Sequence, residues 1–90
     1  MAIFHIGTLY AKPEHTANLI KSFEGLNQAP GHIAHKCCRD LEDKNKLTLV
    51  EEWESKEDHE NFINAFSEEE MEQWLNMLSQ KSEDSYYEEL

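Results

Sequence analysis

The stretch "IFHIGTLYA", residues 3–11, limits what this chain can build. Its β-branched and aromatic residues read as a strand, in which successive side chains point to opposite faces. One face then carries Ile3, His5, Gly7, Leu9 and Ala11, and the other carries Phe4, Ile6, Thr8 and Tyr10. Neither face is plainly polar, so a sheet built on this strand needs cover on both sides. The chain has 90 residues, which reads as a single domain over 1–90. A chain this short hides only about 60% of its unfolded surface, so its own core is marginal.

Pro13 sits where a helix starts well, because its missing N–H is not needed there. Leu19, Ile20, Phe23 and Leu26 follow at helical spacing, up to the breakers Pro30 and Gly31. Residues 32–41, "HIAHKCCRDL", predict a second strand, "EDKNK" a polar turn, and "LTLVEEWES" (47–55) a third strand, the two strands forming a hairpin. Ser55 and Ser67 each open a helix by capping a free backbone N–H, and Glu70 completes a capping box with Ser67. The acids at 57–60 and 68–72 suit the positive ends of those helices and need no functional explanation. His59, Phe62, Ile63 and Phe66 share one helix face; Met71, Trp74, Leu75 and Leu78 share the next. The tail predicts a short last strand from about Ser85 to Leu90. The order strand, helix, strand, strand, helix, helix, strand predicts an α+β, ferredoxin-like antiparallel sheet. Its helices lie on one face, because the helix after the first strand and the later pair cover the same side. A second copy is expected to cover the other, giving a C2 homodimer with sheets packed face to face.

Charge narrows the partners. Lys and Arg number 8 against 19 Asp and Glu, a net −11, which disfavours nucleic acid and anionic membrane surfaces. "MAIFHIG" does not read as a signal peptide, and no apolar run approaches membrane-spanning length. Cys37 and Cys38 are neighbours whose side chains diverge in a strand, so both are expected as reduced thiols in a cytoplasmic protein; no C-x-x-C motif is present.

Leu47, Leu49, Glu51 and Trp53 share a face of the third strand. A buried carboxylate is costly unless it is paired, hydrogen-bonded or protonated. Glu51 is therefore bonded to a backbone or basic partner at the dimer interface, a pocket acid with a raised pKa, or a solvated strand end. Trp53 is either core or interface filler or a wall on which a flat aromatic stacks. On the second strand Ile33, His35, Cys37, Arg39 and Leu41 share a face. His35 fits three roles: a satisfied core or interface histidine, a pocket base, or a metal ligand with Cys37, the last needing further donors such as His5. His15 and His32 are expected at the surface. Phe62, Phe66, Met71 and Trp74 are core by pattern, and the same set would line any cavity.

"LYAKPEHTANLIKSFEGL", "PGHIAHKCCRD" and "LVEEWESKEDHENFINAF" resemble the antibiotic biosynthesis monooxygenase (ABM) domain family, with Glu51 and Trp53 as its E-x-W. The resemblance covers nearly the whole chain and implies a dimeric α+β barrel. It also implies a cofactor-independent monooxygenase of a small electron-rich aromatic, a quinol or phenol, with neither flavin nor metal required. In that scheme His35 is the base by chemical type, with His59 or His5 as substitutes. Glu51 stands with it as a catalytic candidate. Trp53 and Trp74 hold the ring plane, Phe62 and Phe66 line the site, and Tyr10 or Arg39 stabilises developing negative charge. The chain departs from the family at the helix histidine, where Phe62 stands in the matching register and His59 one turn earlier. It departs from the haem-degrading branch too, lacking a strand-one asparagine and carrying Phe62 and Glu72 at the tryptophan and histidine positions. The alternative reading is a non-catalytic dimeric module that binds a small ligand or regulates a partner.

Overall fold

The computed structural model describes residues 2–90. The elements run β1 (Ile3–Tyr10), α1 (Thr16–Ser22), β2 (His32–Arg39), β3 (Lys46–Trp53), α2 (Lys56–Asn64), α3 (Glu68–Leu75) and β4 (Glu83–Tyr87). The strands form one antiparallel sheet in the order β2-β3-β1-β4. This is the expected α+β, ferredoxin-like arrangement.

The buried core lies between the sheet and the helices. Leu9 and Ala11 from the first strand region and Leu47, Leu49 and Trp53 from β3 meet Leu19, Phe23, Leu26 and Leu78. Burial alternates strictly along β3, with Leu47, Leu49, Glu51 and Trp53 all inward. The helix expected after Pro13 is segmented: Pro13–His15 and Phe23–Gln28 are 3-10 turns flanking α1. Its apolar spacing survives this, since Leu19, Phe23 and Leu26 are all buried.

Both predicted caps form. Asp58 N–H donates to Ser55 Oγ at 3.1 Å. Glu70 N–H donates to Ser67 Oγ at 3.1 Å, and Ser67 N–H donates back to Glu70 Oε1 at 2.9 Å. Gly31 enters β2 with φ +84°, in the left-handed region, and a Cβ there would fall 2.4 Å from the Asp58 carboxylate. Glycine therefore lets the start of α2 close against the start of β2.

Four expectations need correction. A bulge between His32 and Ala34 places His32, not Ile33, opposite Trp53. Ile33 is consequently exposed, and His32 is half-buried with its ring edge-on to Trp53 at 5.6 Å. Second, β2 stops at Arg39, because Asp40 Oδ2 accepts from the N–H groups of Glu42 and Asp43 and turns the chain. Leu41 lies in that turn and is fully exposed. Third, β4 starts two residues earlier than expected, pairing Gly7 with Asp84 and His5 with Tyr86. Leu75 is also exposed rather than inward, and Leu78 reaches the core beyond the helix end through a bridge to Ala11.

The second sheet face carries Phe4, Ile6, Thr8, Tyr10, Thr48 and Val50, all half-buried, and the helices pack on the other side. Cys37 and Cys38 are free and exposed. Among the described residues no helix is long and apolar enough to cross a membrane.

Candidate active site

A cavity of about 680 Å³ opens between the sheet and the helices. Its walls are apolar: Leu9, Phe23, Leu26, Phe62, Phe66, Met71, Trp74 and Met77. Gly7 forms part of the sheet side, where a larger side chain would fill the space beside Asp84. One end is polar, and its groups come from three strands and a helix: His5 from β1, Glu51 from β3, Asp84 and Tyr86 from β4, and His59 from α2.

These five groups form one network. His5 and Glu51 are direct partners in the β1–β3 register, and His5 Nδ1 lies 2.5 Å from Glu51 Oε1. The other ring nitrogen, His5 Nε2, lies 2.6 Å from Asp84 Oδ2. With a carboxylate oxygen on each nitrogen, both nitrogens donate only in the imidazolium form. Burial pulls the His5 pKa down, but hydrogen bonds to Glu51 and Asp84, together with their charges, outweigh it and hold the pKa above the ordinary value.

His59 stacks on His5 with ring centroids 4.0 Å apart. Its Nδ1 lies 2.7 Å from the Tyr86 hydroxyl, and its Nε2 lies 3.7 Å from Glu51 Oε1. Burial and then the neighbouring His5 charge push the His59 pKa down. His5 is thus favoured as the charged ring and His59 as the neutral one, with the Tyr86 O–H donating to His59 Nδ1. Burial also raises the Tyr86 pKa, helped by the nearby Glu60, Asp84 and Glu51 charges, so its phenol keeps its proton. Glu51, 3% exposed, thus has a basic partner, but one supplied by its own chain rather than across a dimer interface.

The sequence candidates divide on this geometry. Glu51, His59, Phe62, Phe66 and Trp74 all line the cavity. Trp53 is wholly buried behind that lining, against His59 at 5.3 Å and Phe62 at 5.5 Å, as support rather than wall. His35 does not line the cavity, although it pairs with Glu51 across β2 and β3: the bulge brings His32 onto the same face, and His32 Nε2 lies 2.9 Å from His35 Nδ1. Arg39 is exposed near the end of the sheet. Tyr10 belongs to the uncovered face beside Lys46, 6.0 Å from its ring. Asp84 and Tyr86 were absent from the sequence candidates. Their alternation in "EDSYY" places both on one face, a signal that becomes readable once the strand is started at Glu83.

The family model for "Antibiotic biosynthesis monooxygenase" matches residues 2–74, most of the chain. The chain belongs to this family. Solved structures agree on the ABM fold. A conserved protein from Methanosarcina mazei Go1 superposes with TM-score 0.80 at 26% identity, covering 100% of this chain and 94% of that one. Rv0793 from Mycobacterium tuberculosis gives TM-score 0.78 at 12% identity, covering 100% and 96%. SnoaB, a cofactor-independent oxygenase from Streptomyces nogalater, gives 0.77 at 13% identity, covering 98% and 92%. No curated protein matches the sequence. The family model ends at Trp74, so Asp84 and Tyr86 lie beyond the segment that identifies the ABM domain.

Proposed function

We propose that this ABM domain is a monooxygenase of a small electron-rich phenol or quinol, turned over in the cavity beneath α2 and α3. The observation that carries the reading is an aromatic-walled cavity of about 680 Å³ that ends in paired acid–base groups. The ring lies against Phe62, Phe66 and Trp74, with its hydroxyl directed at Tyr86 and His59. Neutral His59 takes the proton through the Tyr86 hydroxyl, which passes its own proton to His59 Nδ1 as it accepts the substrate's. The phenolate then gives electrons to dioxygen, a carbon–oxygen bond forms at an open ring carbon, and the second oxygen leaves as water. A phenol plus dioxygen yields a quinone plus water, so the substrate itself supplies every electron. Protonated His5 offsets the developing negative charge from behind.

The same proposal includes a second copy of the chain on the uncovered sheet face, where Phe4, Ile6 and Val50 need cover, and a soluble cytoplasmic setting. One observation favours the other reading, a ligand-binding module without turnover. Among the described residues the cavity lining contains Glu51, Glu60, Glu70 and Asp84 but neither Lys nor Arg, a set that disfavours an anion, and Lys56 approaches from outside the lining, 5.1 Å from the Tyr86 ring.

Oxygen uptake with a panel of phenols and hydroquinones, with anaerobic controls, separates the two. The oxygenase reading expects uptake above the buffer rate, a loss of at least about 100-fold in His59→Ala, and no loss in His35→Ala. Binding of the panel compounds with uptake held at the buffer rate would establish the module instead.

A further inference from the structure

The two histidines and the glutamate have a second use. His5 Nδ1 and His59 Nε2 both lie near one atom, Glu51 Oε1, at 2.5 and 3.7 Å. The three donor atoms lie within 4.8 Å of one another. Bonds of about 2.0–2.2 Å from nitrogen and carboxylate oxygen place the ligands of one ion about 3 Å apart, and because the His5 and His59 rings are stacked with their planes 26° apart, an ion in the plane of both requires the His59 ring to turn off the stack. Each imidazole is also held by its outer nitrogen: His5 Nε2 by the Asp84 carboxylate at 2.6 Å, and His59 Nδ1 by the Tyr86 hydroxyl at 2.7 Å. This is how metal-bound histidines are oriented, by an outer carboxylate or hydroxyl that fixes the ring and its tautomer.

We propose that His5, Glu51 and His59 form a binding site for one divalent transition-metal ion, with Asp84 and Tyr86 as its outer supports. Two imidazoles and one carboxylate suit zinc, cobalt, iron or nickel, whereas calcium and magnesium prefer all-oxygen sites. Three protein ligands leave coordination positions free, and these face the cavity. The ion takes the place of the proton between His5 and Glu51 and occupies the inner nitrogen of His59, whose proton then sits on Nδ1 and is donated to the Tyr86 oxygen, the reverse of the metal-free direction. The proposal goes beyond the oxygenase reading and stands apart from it: proton transfer through Tyr86 belongs to the metal-free chain.

The test uses purified full-length protein stripped with EDTA and titrated with cobalt(II), followed by its visible d–d absorption and by calorimetry. One ion per chain is expected, with cobalt bands of a nitrogen- and oxygen-ligated site and displacement by zinc(II). Glu51→Gln and His59→Asn each weaken binding by at least 10-fold, Asp84→Asn weakens it about 10-fold, and His35→Ala leaves it unchanged. Paramagnetic broadening in wild-type protein, centred on the His5 and His59 ring signals, decides the matter without variants if these fail to fold. Absence of stoichiometric binding at millimolar cobalt overturns the proposal, as does binding that follows His32 and His35 instead. Oxygen uptake by the EDTA-stripped protein is read separately, so failure of one idea leaves the other standing.

Discussion

The reciprocal pair Ser67 and Glu70 shows how a single residue couples fold to pH. The Ser67 backbone N–H lowers the Glu70 pKa, and the Ser67 hydroxyl adds to this. A carboxylate depressed in the folded state stabilises the fold above its unfolded pKa, and that contribution is lost as pH falls through the folded value. Glu70→Gln should therefore be less stable than wild type at neutral pH, and the difference should shrink as the pH is lowered below about 4.5, the ordinary glutamate range. Chemical denaturation at a series of pH values checks this. Ser67→Ala should cost about 1 kcal/mol at neutral pH by removing the cap. Both residues were legible from "SEEE", because a capping box is local chemistry. Which histidine lines the cavity was less legible. His35 has the right chemical type and pairs with Glu51, but one unpaired residue at Ile33 sets His32 beside it, and no local pattern in "GHIAHK" marks that bulge.

At the scale of elements, the meeting of β2 and α2 depends on Gly31. A methyl group there meets the Asp58 side chain at under 3 Å, and the left-handed backbone disfavours any Cβ. Gly31→Ala should destabilise the fold by about 1–3 kcal/mol, read as a lowered denaturation midpoint with unchanged slope. Because α2 carries His59 and Phe62, the same variant should also disturb the cavity. The element order, the alternation of β3 and the caps of α2 and α3 followed from periodicity and hydroxyl spacing. The segmentation around α1 did not, because Leu19, Phe23 and Leu26 fall on one face of an unbroken helix as readily as across α1 and the 3-10 segment that follows it. The edge strand β4 is exposed along its length in the single chain. It therefore shows no burial alternation, and this hid Asp84 and Tyr86, which complete the polar end of the cavity.

The whole molecule divides its labour between two sheet faces. The odd-numbered residues of β1 and β3 face the helices and hold the cavity; the even-numbered ones form a half-buried surface with Phe4, Ile6 and Val50. Sedimentation at micromolar concentration should give a particle of twice the 10.6 kDa chain mass; a well-folded single chain would remove the need for a covered second face. The functional account rests on the first face. Its most direct measurement is amide and indole chemical-shift mapping on titration with a hydroquinone under anaerobic conditions, which reads where the ligand sits whether or not it turns over. The account predicts saturable shifts at Gly7, His59, Phe62, Tyr86 and the Trp74 indole. Shifts confined to His32, His35, Cys37 and Arg39 would contradict it.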